Sequence, residues 1–210
     1  GLHHRSLTQS LKTIQVFSGI CFVVLAFVAL KLSINTLLVT AGFGLATFFY
    51  AVPFVRHKNL RNFSGLKIFI VAFVWAGVTV IVPFIASETV ITEDVILTFI
   101  QRILIVVALI LPFEIRDVPY DSLNLKTLPQ QFGVRNTKLL GDVVLLFCLV
   151  FEFFKIDSEV AYIISMLFFC LILGWLLVIS KTNQTRYYAS FWVEGLPILW
   201  MLLYVLFERI

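Results

Sequence analysis

Three carboxylates that lie close together in the sequence are the residues best placed to do chemistry. Glu114, Asp117 and Asp121 follow i, i+3 and i+7 spacing, so a continuous helix would carry them on one face, with neighbours about 5–6 Å apart. Like charges at this separation repel one another unless a cation lies among them. Carboxylate oxygens suit Mg²⁺, which one or two carboxylates commonly hold together with substrate phosphates. The spacing therefore predicts a magnesium site with these three residues as ligands.

The same stretch supports a plainer interpretation, which stays open. Arg116 lies among the acids and can pair with them, as in an acidic helix end that is solvated at a membrane surface. Pro119 lacks an N–H and disfavours helix at Val118. Asp121 is therefore expected beyond a break in the helix, with the aspartate pair bridging that break.

Basic residues accompany the acids. Cationic side chains beside a metal-binding acidic pair are what a diphosphate requires, because the metal holds the bridging oxygens and the cations balance the remaining charge. Taken singly, each basic residue is better explained by membrane orientation or by contact with anionic lipid. The basic residues concerned are Arg56, Lys58, Arg61 and Lys67 in one segment and Lys126, Arg135 and Lys138 in another.

The elements that must position these residues are membrane-spanning helices. Hydrophobic residues make up 60% of the 210 and charged residues 13%, against about 45–50% and about 25% in soluble domains. Seven apolar runs approach the length that crosses a hydrocarbon core of about 30 Å as a helix. We expect one integral-membrane domain over residues 1–210, an all-α bundle of about seven spans. The runs are 14–31, 34–53, 67–86, 95–115, 138–154, 160–180 and 190–207.

The distribution of charge predicts the orientation of these spans. With the N-terminus in the cytoplasm, twelve of the 16 Lys and Arg residues fall in cytoplasmic segments and three on the opposite side, as the positive-inside rule requires. Segments 55–67 and 116–138 then share the cytoplasmic face. The net charge of +4 is explained by this orientation, and we predict no nucleic-acid partner.

A few notable residues lie inside the apolar runs. A charged side chain at a helix centre costs about 2.5–3.5 kcal/mol on insertion scales, so Arg102 is expected to have a structural role, reaching outward toward Glu152. Cys21, Cys148 and Cys170 are expected to be buried as small hydrophobic residues, without a disulfide or metal pattern.

The residues around the acidic pair resemble a known family, the UbiA-type membrane prenyltransferases. Its second aspartate-rich motif is similar to Asp117-Val-Pro-Tyr-Asp121 followed by Lys126-Thr127-Leu128-Pro129 and Phe132-Gly133. The family's middle segment resembles the stretch from Tyr50 through Lys58 and the run Phe73-Val-Trp75-Ala76-Gly77. The resemblance extends over most of the chain, and its most specific part is 117–133.

The resemblance implies both a fold and an activity. The seven runs would be helices three to nine of a nine-helix fold, and segment 116–138 the loop after helix six. The implied reaction moves a prenyl group from a prenyl diphosphate to an aromatic or other lipid-soluble acceptor. Asp117 and Asp121 would hold the diphosphate through Mg²⁺ as the catalytic pair, with Glu114 as a further metal ligand. Its phosphates would contact four basic residues, Arg56, Lys58, Lys126 and Arg135.

One part of the family pattern has no counterpart in this chain. The family carries a first acidic motif before its third helix, whereas residues 1–13 contain neither Asp nor Glu. If the protein is an enzyme, we expect a further N-terminal part that carries this motif. The alternative is a non-catalytic membrane protein of the same fold that binds a lipid or a partner.

Overall fold

Helices account for all the regular structure in the described part of the chain. A computed structural model gives the fold of residues 2–51, 66–122, 125–185 and 187–209, with side chains from residue 11 onward except at 51 and 66. The all-α prediction is confirmed over these residues. The elements in order are α1 (Leu2–Ala29), α2 (Ile34–Ala51), α3 (Leu66–Ala76), a π-helical segment (Gly77–Ile81), α4 (Val82–Ala86), α5 (Glu93–Asp117), α6 (Leu128–Glu152), α7 (Val160–Ile179), a second π-helical segment (Tyr188–Val193) and α8 (Leu196–Glu208).

Five helical stretches are long and apolar enough to cross a membrane. They coincide with five of the seven predicted runs. Sequence and structure therefore agree on an all-helical protein with several apolar helices. A sixth run forms a shorter apolar helix, Ile34–Tyr50. All but the last two residues of the remaining run lie in α6, whose 25 residues include four charged side chains, Arg135, Lys138, Asp142 and Glu152. The five stretches are Leu11–Ala29, Lys67–Ala86, Glu93–Asp117, Val160–Ile179 and Tyr188–Glu208.

Large apolar side chains face outward along these helices. Trp175 on α7 is 62% exposed and Phe22 on α1 is 69% exposed. Water would penalise such a surface, whereas lipid tails are as apolar as the side chains themselves. Cys148 and Cys170 are buried as expected, but Cys21 is exposed, because α1 buries none of its span in the bundle.

The centre of the bundle is the contact among α5, α6 and α7. At Gly141 of α6, a Cβ would lie 2.2 Å from Leu177 Cδ2 and 2.8 Å from Leu111 Cδ1. Both leucines are fully buried, so their side chains would have to shift to admit a larger residue. The three helices thus approach closely at a glycine, as is usual where membrane helices meet.

Helices α5, α6 and α7 run in alternating directions, which brings distant parts of the sequence to two ends of the bundle. Gln101 in the third turn of α5 donates to Glu152 at the end of α6, at 3.0 Å. Lys138 near the start of α6 donates to the carbonyl of Val178 at the end of α7, at 2.7 Å. We call the end that contains Asp117 and the start of α6 the motif end, and the opposite one the far end.

Candidate functional site

The predicted acidic pair lies where α5 gives way to a tight turn. The backbone N–H groups of Tyr120 and Asp121 both donate to the carbonyl oxygen of Asp117, each at 2.9 Å. Because α5 ends at Asp117, Asp121 lies outside the helix, and the three carboxylates do not share one helical face. The break comes at Pro119, as its missing N–H predicts. The aspartates are thus joined by a turn.

Gln130 fixes the loop that carries Asp121. Its Nε2 donates to the carbonyls of Asp121 and Ser122, at 3.2 and 3.3 Å, and its Oε1 accepts from the backbone N–H of Thr127 at 3.1 Å. A Gln three residues after a Thr at a helix start is a known capping signature. The sequence contains this signal, and it identifies a positioning residue that the spacing of charges alone did not reveal.

Gly133 bends α6 one turn after its start. Its backbone has φ 78° and ψ 157° inside the helix, a conformation with positive φ that glycine adopts without a steric penalty. The Phe132-Gly133 pair, identified in the sequence as part of the motif, is therefore a backbone kink. It allows the first turn of α6 to follow the loop while the remainder packs in the bundle.

Two of the three predicted metal ligands are paired with cations. Glu114 is only 3% exposed, and its Oε1 accepts from Lys67 Nζ at 2.8 Å. Asp117 accepts two bonds from its neighbour Arg116, at 2.7 Å to Oδ1 and 3.2 Å to Oδ2. The pairing of Arg116 with an acid, which the plainer sequence interpretation expected, is present.

Asp121 differs from the other two acids. Its Oδ2 is buried and has no hydrogen-bond partner among the described residues, although the ammonium group of Lys67 interacts with the carboxylate electrostatically. A buried carboxylate oxygen without a partner is costly and calls for a ligand or an ion. The donor type fits Mg²⁺. Within the described ranges, however, His, Cys, Asp and Glu side chains form no group of three that could share one ion.

The structure describes two of the four predicted phosphate-binding cations, Lys126 and Arg135. Lys126 has a positive φ of 44°, and its carbonyl accepts a bond from the side-chain amide of Gln131. Arg135 is exposed on α6, just past the kink. Arg56 and Lys58 lie outside the described residues. Lys67, which starts the third apolar run, is a cation that another helix brings to the carboxylates.

The segment before α8 that contains Gln184 and Ser190 contacts α5 at the motif end. Gln184 Nε2 donates to the carbonyl of Pro112 at 2.8 Å, and Arg116 Nη1 lies 3.5 Å from Ser190 Oγ. These bonds attach the segment to the last turns of α5. Tyr187 and Trp192 are 69% and 63% exposed there, as aromatic residues at a membrane interface are.

The far end contains a second polar network, which the sequence did not predict. Glu152 is 4% exposed and accepts from Gln101 at 3.0 Å, Lys155 at 2.7 Å and Ser158 at 2.8 Å. Arg102 instead lies over the ring of Trp200, 5.0 Å from its centroid. The expectation that Arg102 reaches Glu152 is wrong, because Lys155 is closer along the chain and already neutralises that carboxylate.

Comparison with models of known protein families, with curated proteins and with solved structures found no match.

Proposed function

We propose that this protein is a UbiA-type membrane prenyltransferase, which moves a prenyl group from a prenyl diphosphate to an aromatic or other lipid-soluble acceptor. The observation that carries the proposal is the buried Oδ2 of Asp121, which has no partner within the described ranges. It lies in the turn that joins the two aspartates of the resembling motif, at an end of the bundle that also holds Lys67. A ligand that brings a cation to this oxygen would satisfy it.

The chain's own residues divide the work of the proposed site. Asp117 and Asp121 would hold Mg²⁺, which would neutralise charge on the diphosphate. Gln130 and the Gly133 kink hold the loop that presents Asp121. Cations placed in advance stabilise the charge that builds on a leaving diphosphate more than they stabilise the ground state. The cations that would contact the phosphates are Lys126 and Arg135 on the loop and α6, with Arg56 and Lys58 from the preceding segment.

Glu114 takes a different part in the proposed site. Its carboxylate is engaged by Lys67 at 2.8 Å, so in this arrangement it orients a cation. To ligate the metal, it would have to release Lys67, which could then turn to the phosphates. We therefore propose that Glu114 ligates the metal only when the diphosphate is bound, after its ion pair with Lys67 has broken.

The experiment measures binding of radiolabelled farnesyl diphosphate to the purified full chain, with Mg²⁺ or with EDTA. Binding should require Mg²⁺ and should fall at least roughly tenfold in Asp117→Asn and Asp121→Asn, since each removes a charge-assisted contact. Asp157→Asn, at an exposed carboxylate of the far end, is the matched control. In sealed vesicles of known orientation, binding should occur only from the cytoplasmic side. Metal-independent binding that both variants retain would contradict the proposal.

A second candidate is a non-catalytic protein of the same fold that binds a lipid or a partner. It is favoured by the two hydrogen bonds that Arg116 donates to Asp117, because an acid already neutralised by its neighbour is less available to a metal. Incubation with labelled diphosphate and a panel of aromatic acceptors separates the two. Prenylated product supports the enzyme. Mg²⁺-dependent binding without product supports the second candidate when the protein assayed includes the N-terminal part in which the first acidic motif is expected.

A further inference from the structure

A cavity at the far end contains an arginine that no acid in the described part of the chain pairs with. The cavity has a volume of about 360 Å³ and is open on one side. Its lining is aromatic and apolar apart from one guanidinium group and two tyrosine hydroxyls. The lining residues are Arg102, Tyr162, Pro197, Trp200, Met201 and Tyr204.

Arg102 is deep for a charged residue. It lies nine residues into α5, roughly 14 Å from the helix start at about 1.5 Å per residue. A guanidinium group does not lose its proton in proteins, so its charge must be balanced where it lies. The ring of Trp200 at 5.0 Å supplies part of that balance through its π face, but a ring accepts none of the in-plane N–H bonds.

The nearby acids Glu152 and Glu159 have hydrogen-bond partners other than Arg102. Glu152 is bonded by Lys155, Gln101 and Ser158. Glu159 accepts from the hydroxyl of Tyr204 at 2.8 Å. Among the described residues, neither forms an ion pair with Arg102. The cavity therefore contains one cation without a direct ion pair among these acids, although Glu159 and Glu208 both interact with the hydroxyl of the lining residue Tyr204.

The aromatic wall around Arg102 is held in place by packing. Trp200 is 5% exposed, stacks on Phe169 at 4.8 Å and donates from Nε1 to Ser165 Oγ at 3.2 Å. Tyr162 packs against the same indole, with centroids 5.6 Å apart. A wall fixed on both sides provides a preformed surface for a ligand, which is typical of binding sites.

We propose that this cavity binds the phosphate of an anionic phospholipid through Arg102, with the lipid tails lying along α8. Met201, which lines the cavity, is 57% exposed, and Ile198 on the same helix is 63% exposed. A lipid phosphate is already tethered at the interface, whereas a soluble anion would have to leave water to reach Arg102. The site is independent of the diphosphate site, which lies at the other end of the bundle.

Native mass spectrometry of the full chain in detergent tests the proposal with phosphatidylglycerol, with a diacylglycerol of the same tails and with inorganic phosphate. The chain should retain phosphatidylglycerol in preference to diacylglycerol. Arg102→Gln should lower its apparent affinity roughly tenfold, the order of one lost charge-assisted contact. Arg209→Gln removes a charge from an exposed position at the same end and should leave the affinity unchanged.

A second variant keeps the test decisive if Arg102→Gln fails to fold. Met201→Trp fills the cavity from its exposed side and should lower phosphatidylglycerol binding with Arg102 intact. Equal affinity in the wild type and either folded variant would overturn the proposal. Equal retention of diacylglycerol would show that only the tails bind, and competition by inorganic phosphate at similar concentration would indicate a soluble-anion site. Either result would overturn the lipid assignment.

Discussion

The two ends of the bundle treat their buried carboxylates in opposite ways. At the far end, Glu152 has three donors, and its partner Lys155 is 5% exposed. At the motif end, Asp121 has a buried oxygen without a partner in the described residues. A carboxylate that the protein satisfies completely stabilises the fold, because any ligand would have to displace bonds already made. A carboxylate left incomplete is available to a ligand.

Glu114 is intermediate between these extremes. It is as buried as Glu152, yet its partner Lys67 has a side chain that is 36% exposed. An ammonium group with access to water can leave its partner at small cost. The comparison therefore ranks the three carboxylates from structural to functional in the order Glu152, Glu114 and Asp121, and each rank predicts a different response to neutralisation.

The largest effect is expected for Glu152→Gln. Neutralising this acid leaves the ammonium group of Lys155 buried without a counter-charge, which costs about 3–5 kcal/mol of unfolding free energy. The measurement is reversible unfolding in mixed micelles by titration with a denaturing detergent. Glu208→Gln, at an exposed acid of the same end, is the control and should change stability by less than about 0.5 kcal/mol.

A double variant sharpens this test. Removing both charges, with Glu152→Gln and Lys155→Met, should recover most of the lost stability, because the cost comes from the uncompensated charge and not from the absent pair. If Glu152→Gln alone were as stable as the wild type, the far-end network would have no structural role.

Glu114→Gln should have a smaller effect, about 1–3 kcal/mol. Lys67 can then turn toward water because a third of its side chain is already exposed. The reciprocal change, Lys67→Met, leaves a buried carboxylate and should cost more than Glu114→Gln. The same unfolding titration measures both. Equal losses in the two variants would indicate that Lys67 is as confined as Glu114, and Glu114 would then rank with Glu152 as a structural acid.

The smallest effect on stability is expected for Asp121→Asn, within about 0.5 kcal/mol. The unpartnered Oδ2 loses no hydrogen bond within the described part of the chain, and the backbone bonds of the turn are kept. This variant should therefore lose diphosphate binding without losing stability. A cost near that of Glu152→Gln, measured in the same titration, would mean that Asp121 stabilises the fold and would remove the contrast between the ends.

The sequence predicted the helices and the break at the acidic pair well, for local reasons. A long apolar run must satisfy its own backbone, so 95–115 and 160–180 are necessarily helical in an apolar environment. Pro119 ends α5 through its own missing N–H, and Gly133 bends α6 through its own positive φ. Where the cause lies within one helical turn, the pattern of residues is sufficient.

The partners of the charged groups were decided only by the tertiary structure. Lys67 and Glu114 are 47 residues apart, and the sequence does not show which faces of α3 and α5 meet. Arg102 and Glu152 were expected to pair, yet the rotation of α5 directs Arg102 to Trp200 and Gln101 to Glu152. Neighbouring positions on a helix differ by about 100° in direction, so packing determines which of them meets a charge and which carboxylate is left for a ligand.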